Sequence, residues 1–299
     1  MALISKEIIM NDYAIVTDSS CDLPAELAEE LELTVLPLSF EIGGKEYLNY
    51  LDGREMSLHD YYERLRAKEP ARTAAVNVDS FVGAIEPILK SGKDVLLPAF
   101  SSGLSNTSNA ARMACEELAA KYPERKVFCV DTLCASLGQG LILYSAVQKK
   151  REGKSIEEVR DWLEQNKLHL CHWFTVDDLM HLKRGGRISP AVAFIGGMLN
   201  FKPVMHVDDE GKLAPVGKVR GRKASLDALV DHMEQSAVEA QTQTVFISHG
   251  DTPEDAEYVA SEIKRRLGTT NFVINTIGPV IGTHSGPGTI ALFFYGKQR

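Results

Sequence analysis

Residues 101–107 carry hydroxyl side chains in a short turn that reads Ser-Ser-Gly-Leu-Ser-Asn-Thr. The turn follows an apolar run and precedes a helical pattern. The first turn of a helix presents backbone N–H groups without partners and about half a positive charge. Hydroxyls and amides placed there can converge on an anion such as a carboxylate or a phosphate. Ser and Thr also cap helices that bind nothing, so this turn alone is compatible with an anion site and with ordinary capping.

Two further turns with hydroxyl groups follow the same logic. The sequence Thr-Asp-Ser-Ser of residues 17–20 comes directly after an apolar run, and Thr73 lies in the loop segment 72–77. Because ligands of parallel sheets bind beyond the carboxyl ends of the strands, the three turns are expected to share one rim. An ionised Asp18 would repel an anion, so we expect it to orient neighbouring hydroxyls and amides instead.

Cations and glycines occur together in residues 183–187, Lys-Arg-Gly-Gly-Arg. Glycine lets the backbone approach a ligand closely, and arginine offers paired donors to a carboxylate or phosphate. A second basic segment, residues 218–223, is compatible with a surface for a partner or a phosphoryl group and with a charged loop. His284 is the only imidazole in the Gly-rich segment 278–288. A solvated basic turn and a structural histidine are equally ordinary explanations, so Arg187 and His284 are candidates for ligand binding with these alternatives open.

The sequence lacks the common signatures of nucleotide-binding and hydrolytic sites. It has no phosphate-binding loop of the P-loop type, no G-x-G-x-x-G before a helix, no G-x-S-x-G and no H-E-x-x-H. Its cysteines and histidines lack the spacing of zinc ligands, so we predict neither a metal nor a cofactor. A serine-dependent acyl hydrolase or transferase that uses Ser102 or Ser105 with His284 and Asp18 remains an alternative, because such triads are defined in space.

In the first half of the chain, strand-like runs alternate with helical patterns. Strands are predicted near residues 13–16, 34–40, 94–100 and 126–130, and helices near 24–31, 106–121, 137–150 and 155–166. This alternation predicts a parallel sheet with flanking helices.

In the second half, the segment Asp-Asp-Glu-Gly of residues 208–211 resembles a hairpin turn, which favours a mixed sheet. Strands are predicted near residues 168–174, 244–248 and 291–295, and helices near 225–240 and 254–267. An apolar run at residues 191–201 is far shorter than the roughly 20 residues that span a bilayer, and it is predicted to be a buried helix. We expect two α/β domains, residues 1–167 and 168–299, with the ligand between them.

Composition narrows the class of partner. The chain has 299 residues and a net charge of -8, which disfavours a general surface for nucleic acid and leaves a small ligand as the expectation. The cysteines number five, they form no C-x-x-C, and the first residues hold no long apolar signal segment. We expect the protein to be cytoplasmic.

Six segments in this order together resemble the DegV family. They read Thr-Asp-Ser-Ser at 17–20, Ser-Ser-Gly-Leu-Ser at 101–105, Asp-Asp-Leu-Met-His-Leu-Lys-Arg-Gly-Gly-Arg at 177–187, Phe-Lys-Pro-Val at 201–204, Lys-Val-Arg-Gly-Arg-Lys at 218–223 and Gly-Pro-Val-Ile-Gly-Thr-His at 278–284. The likeness runs almost from end to end. It implies a two-domain DegV-like fold with an N-terminal parallel sheet, a C-terminal mixed α/β domain and a long-chain fatty acid between them.

The resemblance also implies roles for individual residues. By position, Thr73 and Ser105 look like the hydroxyls that bind the carboxylate, Ser102 and Gly103 belong to the same turn, and Arg187 and His284 complete the polar end and its rim. Four residues of the apolar run at 191–201 are candidate tunnel residues: Phe194, Ile195, Met198 and Leu199. The chain departs from the common family pattern at Ala74, Ala75 and Asn106.

The function implied by the resemblance is that of a lipid-binding carrier rather than an enzyme. Some members of the family present the fatty acid to a separate fatty acid kinase, which makes an acyl phosphate for phospholipid synthesis. The expected partners are therefore a long-chain fatty acid, such a kinase and, transiently, a membrane surface for lipid exchange, with no nucleic acid. Burying about twelve methylenes at about 0.8 kcal/mol each would supply roughly 10 kcal/mol before the costs of association.

Overall fold

A computed structural model describes residues 12–188 and 200–299 of the chain. The predicted helix near residue 191 and the candidate tunnel residues Phe194, Ile195, Met198 and Leu199 lie outside the described residues. Among the residues that are described, no helix is both long and apolar enough to cross a membrane. The described part is a mixed α/β fold, as the sequence predicts, but it has three sheets where the sequence suggests two.

The first half builds a parallel sheet of four strands in the order β2-β1-β6-β7. Its strands are β1 (Tyr13–Asp18), β2 (Thr34–Leu36), β6 (Asp94–Ala99) and β7 (Val127–Asp131). The helices of this half after the short α1 (Ala25–Glu30) are α3 (Val78–Lys90), α4 (Thr107–Lys121), α5 (Leu137–Arg151) and α6 (Ile156–Asn166). Every residue of β6 is buried, as expected for an inner strand that is covered on both faces. The predicted parallel sheet is therefore confirmed.

A small antiparallel sheet, in the order β4-β3-β5, stands beside it. It consists of β3 (Ser39–Ile42), β4 (Lys45–Leu48) and β5 (Ala71–Ala74), and α2 (Leu58–Arg66) precedes β5. The prediction of one strand over residues 34–40 is wrong, because β2 and β3 belong to different sheets. Pro37 lies between them, and proline has no N–H to donate to a sheet. The small sheet places Thr73 opposite Phe40.

The second half forms a mixed sheet of six strands in the order β10-β9-β8-β13-β11-β12. Its strands are β8 (Leu170–Thr175), β9 (Phe201–Val207), β10 (Leu213–Arg220), β11 (Thr244–His249), β12 (Asn271–Thr276) and β13 (Ile290–Tyr295). The antiparallel β9–β10 pair turns at residues 208–211, which confirms the predicted hairpin. Only β11 and β12 pair in parallel within this sheet.

The helices described in the second half are α7 (Met180–Arg184), α8 (Arg222–Ser236), α9 (Pro253–Leu267) and α10 (Pro279–Ser285). Helix α10 lies in the Gly-rich segment 278–288, for which the sequence suggests a loop. Pro279 occupies the start of α10, where a proline costs little because the first N–H groups of a helix have no partner. The helix carries His284 near its carboxyl end.

One apolar core joins the two larger sheets. It includes Ile15 and Leu96 of the parallel sheet, Leu141 of α5, and Phe246 and Phe293 of the mixed sheet. Helix α5 packs on β8, β11 and β13, and α6 packs on β6 and β7. The described strands of the mixed sheet all follow residue 169, whereas those of the other two sheets all precede residue 132. The domain division at residues 167 and 168 stays a prediction.

Candidate functional site

A cavity of about 270 Å³ lies where the three sheets meet. Its apolar wall includes Leu38, Phe100, Phe174, Val280 and Phe293. A single water molecule needs about 10–15 Å³ by a comparable measure, so the space is far larger than a packing defect. An apolar cavity of this kind is suited to an apolar guest rather than to isolated water molecules.

One end of this cavity is polar. Four candidate residues from the sequence line it together: Thr73 of β5, Ser105 before α4, Arg187 after α7 and His284 of α10. They come from distant parts of the chain, and the fold alone brings them to one wall. We call these four residues the polar end.

His284 is held in a defined orientation. Its Nε2 lies 2.9 Å from the Thr73 hydroxyl oxygen, whereas its buried Nδ1 has no hydrogen-bond partner within the described residues. A Cβ atom on Gly185 would lie 2.1 Å from Nδ1, so only glycine allows this approach of the two segments. Burial, assisted by the nearby charge of Arg187, lowers the pKa of His284 to about 4. The imidazole is therefore neutral at pH 7.

Arg187 brings a positive charge to the cavity without a counter-ion. Its Nε donates to the Leu104 carbonyl at 3.2 Å, and its guanidinium also donates to the Gly185 carbonyl. Burial lowers the pKa of Arg187, but a guanidinium stays charged at neutral pH. Across residues 12–188 and 200–299, no carboxylate forms an ion pair with it. A partly desolvated cation that faces a cavity favours an anionic ligand.

Ser105 both contacts the start of a helix and lines the cavity, so it fits the capping and the ligand-binding interpretations of the hydroxyl-rich turn. Its Oγ lies 2.9 Å from Thr107 Oγ1 and accepts a hydrogen bond from the Thr107 amide at 3.2 Å. These contacts stabilise the start of α4. The Ser105 side chain also lines the cavity, so capping and a place at the polar end are compatible at this residue.

Ser102 and Gly103 do not line the cavity. A Cβ atom on Gly103 would lie 2.6 Å from the Glu210 carbonyl oxygen, which shows that the turn packs tightly against the β9–β10 hairpin. The exposed Ser102 donates its amide to Asp131 Oδ1 at 3.2 Å. Ser101 also stabilises the contact between this turn and the β9–β10 hairpin, because its hydroxyl donates to the Gly211 carbonyl at 2.8 Å. These residues hold the turn in place beside the polar end.

Asp18 acts on its neighbours, as the sequence suggests. The carboxylate is fully buried and accepts hydrogen bonds from the Phe100 amide at 3.2 Å and the Gln139 side chain at 3.3 Å. Burial raises the pKa of Asp18. These contacts hold the Phe100 amide and the Gln139 side chain in place, and Asp18 also caps the short turn that follows it by accepting from the Ser20 amide at 3.1 Å. The family departures Ala74, Ala75 and Asn106 all line the cavity, so they change the wall itself.

Sequence reasoning missed the residues that support α10. Tyr61 donates to the Pro279 carbonyl at 3.1 Å and lies 2.6 Å from the Thr283 hydroxyl. Tyr62 donates to the Ile277 carbonyl at 3.0 Å. Both rings are buried in α2. Together with Leu58 and Leu65 they follow the spacing of a buried helix face, but no sequence signal connects them with His284.

A larger groove of about 1000 Å³ lies outside the polar end. Thr73, Arg187 and His284 line both the cavity and this groove. The groove adds cationic and acidic side chains: Arg66, Lys68, Arg72, Arg184, Glu69, Asp177 and Asp178. A polar group bound at the inner wall could therefore be reached from this side.

The hydroxyl and imidazole groups do not form a hydrolytic triad. Ser105 contacts Thr107, and His284 contacts Thr73. Within the described part of the chain, no carboxylate contacts His284 Nδ1, the position from which an acid orients a catalytic imidazole. The described geometry instead places one cation beside hydroxyl and imidazole groups.

Comparison with known proteins identifies the class. The model of the DegV family, described as an uncharacterised protein family, matches residues 12–297. The chain is 45% identical to the DegV domain-containing protein CPE0026 of Clostridium perfringens, with 97% of this chain and 99% of that protein covered. It is 33% identical to the DegV domain-containing protein SPs1668 of Streptococcus pyogenes, over 96% of this chain and 99% of that protein. The chain belongs to the DegV family.

Two solved structures are similar over nearly their whole length. A DegV family protein from Thermus thermophilus, described for its fatty acid binding, has a TM-score of 0.85 and 29% identity over 95% of this chain and 99% of its own. DegV from Bacillus subtilis, described as a fatty acid binding protein, has a TM-score of 0.83 and 29% identity over 96% of this chain and 100% of its own.

Proposed function

We propose that this protein binds a long-chain fatty acid in its cavity and presents the carboxylate to a separate kinase. The carboxylate lies at the polar end, between Thr73, Ser105, Arg187 and His284, and the acyl chain follows the apolar wall. The observation that carries this proposal is a cation, Arg187, that has no acidic partner among the described residues and lies beside hydrogen-bonding groups in the wall of an apolar cavity. Solved relatives that are described as fatty acid binding proteins support it.

The two parts of the ligand have separate energetic roles. Burial of about twelve methylenes contributes roughly 10 kcal/mol, from which the costs of association are subtracted. The carboxylate loses its hydration in the same step, so donors must replace the water molecules. Arg187 neutralises its charge, and hydroxyl donors complete its hydrogen bonds.

The neutral imidazole sets the direction of the hydrogen bonds. With its proton on Nε2, His284 donates to the Thr73 oxygen across the observed 2.9 Å. The Thr73 proton is then free to point at a carboxylate oxygen. Because the pKa of His284 is lowered to about 4, this donor series adds no second positive charge at neutral pH.

The outer groove supports a carrier role. It opens onto Thr73, Arg187 and His284, which are the groups assigned to the carboxylate. A kinase docked there would hold ATP and its metal ion. A carboxylate oxygen would attack the terminal phosphorus of ATP, and the bond between that phosphorus and the departing ADP would break. The resulting acyl phosphate would serve phospholipid synthesis. Transient contact with a membrane would exchange the lipid.

Mass spectrometry after denaturing extraction tests the binding step. An equimolar amount of fatty acid should be recovered from the wild-type protein and much less from a Thr73→Ala, Arg187→Met double variant. A lipid-free preparation that takes up no fatty acid from vesicles contradicts the proposal. Release of acid from an acyl ester, lost in Ser105→Ala and in His284→Ala, would favour the hydrolase alternative instead.

The presentation step needs a separate assay. Purified kinase and ATP should convert the bound fatty acid to acyl phosphate only when this protein is present, and hydroxylamine should trap the product. An Arg184→Met variant changes the groove but not the cavity wall. Slower phosphorylation with unchanged fatty acid content in that variant is expected. Equal rates with free and with bound fatty acid would contradict a carrier role.

A further inference from the structure

A second group of hydroxyls, outside the four residues of the polar end, also lines the cavity. Ser136, just before α5, and Ser248, near the end of β11, are both buried in the wall. The Ser136 Oγ lies 2.6 Å from Asp22 Oδ2 and 3.0 Å from the Ser248 Oγ. These three residues form a connected series that runs from a buried carboxyl group to the cavity surface.

The single proton of the Ser136 hydroxyl cannot serve both neighbours. When Asp22 is ionised, Ser136 donates to the carboxylate, so Ser248 must donate to Ser136. The Ser248 oxygen then offers only lone pairs to the cavity. When Asp22 is protonated on Oδ2, it donates to Ser136, which donates to Ser248. The Ser248 proton is then free to donate to a ligand.

The surroundings of Asp22 allow both states. The Gly278 amide donates to Oδ1 at 3.0 Å, and Asp18 is the charged residue that adds to the effect of burial on this carboxyl group. Within residues 12–188 and 200–299, no cation pairs with Asp22. Burial raises the pKa of Asp22 to about 7. The wall at Ser248 can therefore act as a donor or as an acceptor near neutral pH.

Two other polar atoms in the same wall, unlike those of Ser136 and Ser248, have no hydrogen-bond partner among the described residues. The Ser285 Oγ and the His172 Nε2 are buried and make no hydrogen bond within the described residues. His172 donates from Nδ1 to the Leu170 carbonyl at 3.1 Å, so its Nε2 is an acceptor. Leaving a buried polar group unsatisfied is unfavourable. A plain alkyl chain would leave the Ser285 Oγ and the His172 Nε2 without partners and would use none of the remaining hydrogen-bonding capacity of Ser248.

We propose that Ser136 and Ser248 form a second polar subsite, which binds a hydroxyl group on the acyl chain. The ligand class is a hydroxylated long-chain fatty acid. A hydroxyl both donates and accepts, so it complements the series in either protonation state. This inference rests on the proposed function, because it assigns a chemical class to the ligand of the same cavity.

Calorimetry with the delipidated protein tests this subsite. The probes are octadecanoic acid and four isomeric hydroxyoctadecanoic acids, with the hydroxyl at the second, third, tenth or twelfth carbon. One isomer should bind the wild type about as tightly as octadecanoic acid, and the others about tenfold more weakly, since a hydroxyl buried without a partner is unfavourable. A uniform loss across all the isomers overturns the inference without any variant.

The Ser248→Ala variant gives the sharper result. Affinity for the favoured isomer should fall about threefold to tenfold, while affinity for octadecanoic acid stays the same or rises. Ser225→Ala is the matched control, because Ser225 is equally buried in α8 but lies outside the cavity wall. Unchanged preference in Ser248→Ala overturns the subsite. If octadecanoic acid itself fails to bind the wild type, the proposed function fails instead.

Discussion

Replacing Arg187 by Met isolates the charge at the polar end. Methionine keeps an apolar stem of similar reach but removes the guanidinium. In the structure, this group is half-buried, donates to the Leu104 carbonyl at 3.2 Å and has no acidic partner within the described residues. We therefore expect the empty protein to keep or gain stability, because a partly desolvated, unpaired cation is removed. The affinity for fatty acid should fall.

The size of that fall follows from the charge of both groups. A hydrogen bond to a charged group contributes about 1.5–3 kcal/mol, which corresponds to an increase in Kd of about 10-fold to 150-fold. Calorimetry with octadecanoic acid on the delipidated variant measures it. Octadecanol is the matched ligand, since it has the same chain without the negative charge. Its Kd should change little between the wild type and Arg187→Met.

Arg184→Met is the control variant for this experiment. Arg184 lines the outer groove but not the cavity, so its loss should leave both Kd values unchanged. Equal losses of affinity for the acid and the alcohol in Arg187→Met would mean that Arg187 contributes through contacts with the acyl chain and not through the charge of the carboxylate. A lower stability of the empty variant together with unchanged acid affinity would refute the assignment of Arg187 to the carboxylate.

Three further predictions follow from individual groups. Thr73→Ala should weaken fatty acid binding by about 1–3 kcal/mol in calorimetry, whereas Ser102→Ala, outside the cavity wall, should have no effect. The pKa of His284 is lowered from 6.5 to about 4, so this residue contributes up to about 3 kcal/mol of stability above pH 6.5 that is lost as the pH falls towards 4. Urea denaturation at several pH values should therefore show that the unfolding free energy of the ligand-free His284→Gln variant falls less between pH 6.5 and pH 4 than that of the wild type. An equal fall in the two proteins contradicts this prediction. The pKa of Asp22 is raised from 3.8 to about 7, so up to about 4 kcal/mol of stability present below pH 3.8 is lost as the pH rises through 7. Denaturation of Asp22→Asn at pH 8 should therefore show a more stable protein than the wild type, and lower stability there counts against the buried, unpaired carboxylate.

Much of the polar end can be predicted from the sequence, because binding an anion requires hydroxyl and cationic side chains at turns. Hydroxyls before a helix and cations beside glycines mark Ser105 and Arg187 as candidates. The sequence does not tell which hydroxyl of a turn faces a ligand. Ser102 and Ser105 look equivalent in it, and the packing of Gly103 against the distant Glu210 carbonyl decides between them.

Long-range contacts explain the other differences. The Gly-rich segment around His284 has the composition of a loop, yet hydroxyl groups of Tyr61 and Tyr62 reach the start of α10 and stabilise it. Asp22 carries no sequence pattern of its own, because the burial that raises its pKa and the hydrogen bonds from Ser136 and Gly278 that oppose this shift all arise from distant parts of the chain. By contrast, the break between β2 and β3 could be predicted, since Pro37 lies between them.

The polar end balances charge in a way that suits a ligand which must be bound and then released to a reaction. Arg187 supplies a single positive charge, so a carboxylate beside it forms a neutral pair within an apolar wall. His284 stays neutral at pH 7 because its pKa is lowered to about 4. It can therefore orient the Thr73 hydroxyl without a second charge that would hold the anion more strongly. Under the proposed function, a carboxylate paired with Arg187 would stay ionised, which is the form that can attack a phosphoryl group. The groove that shares Thr73, Arg187 and His284 would then give a phosphoryl group a path to that carboxylate.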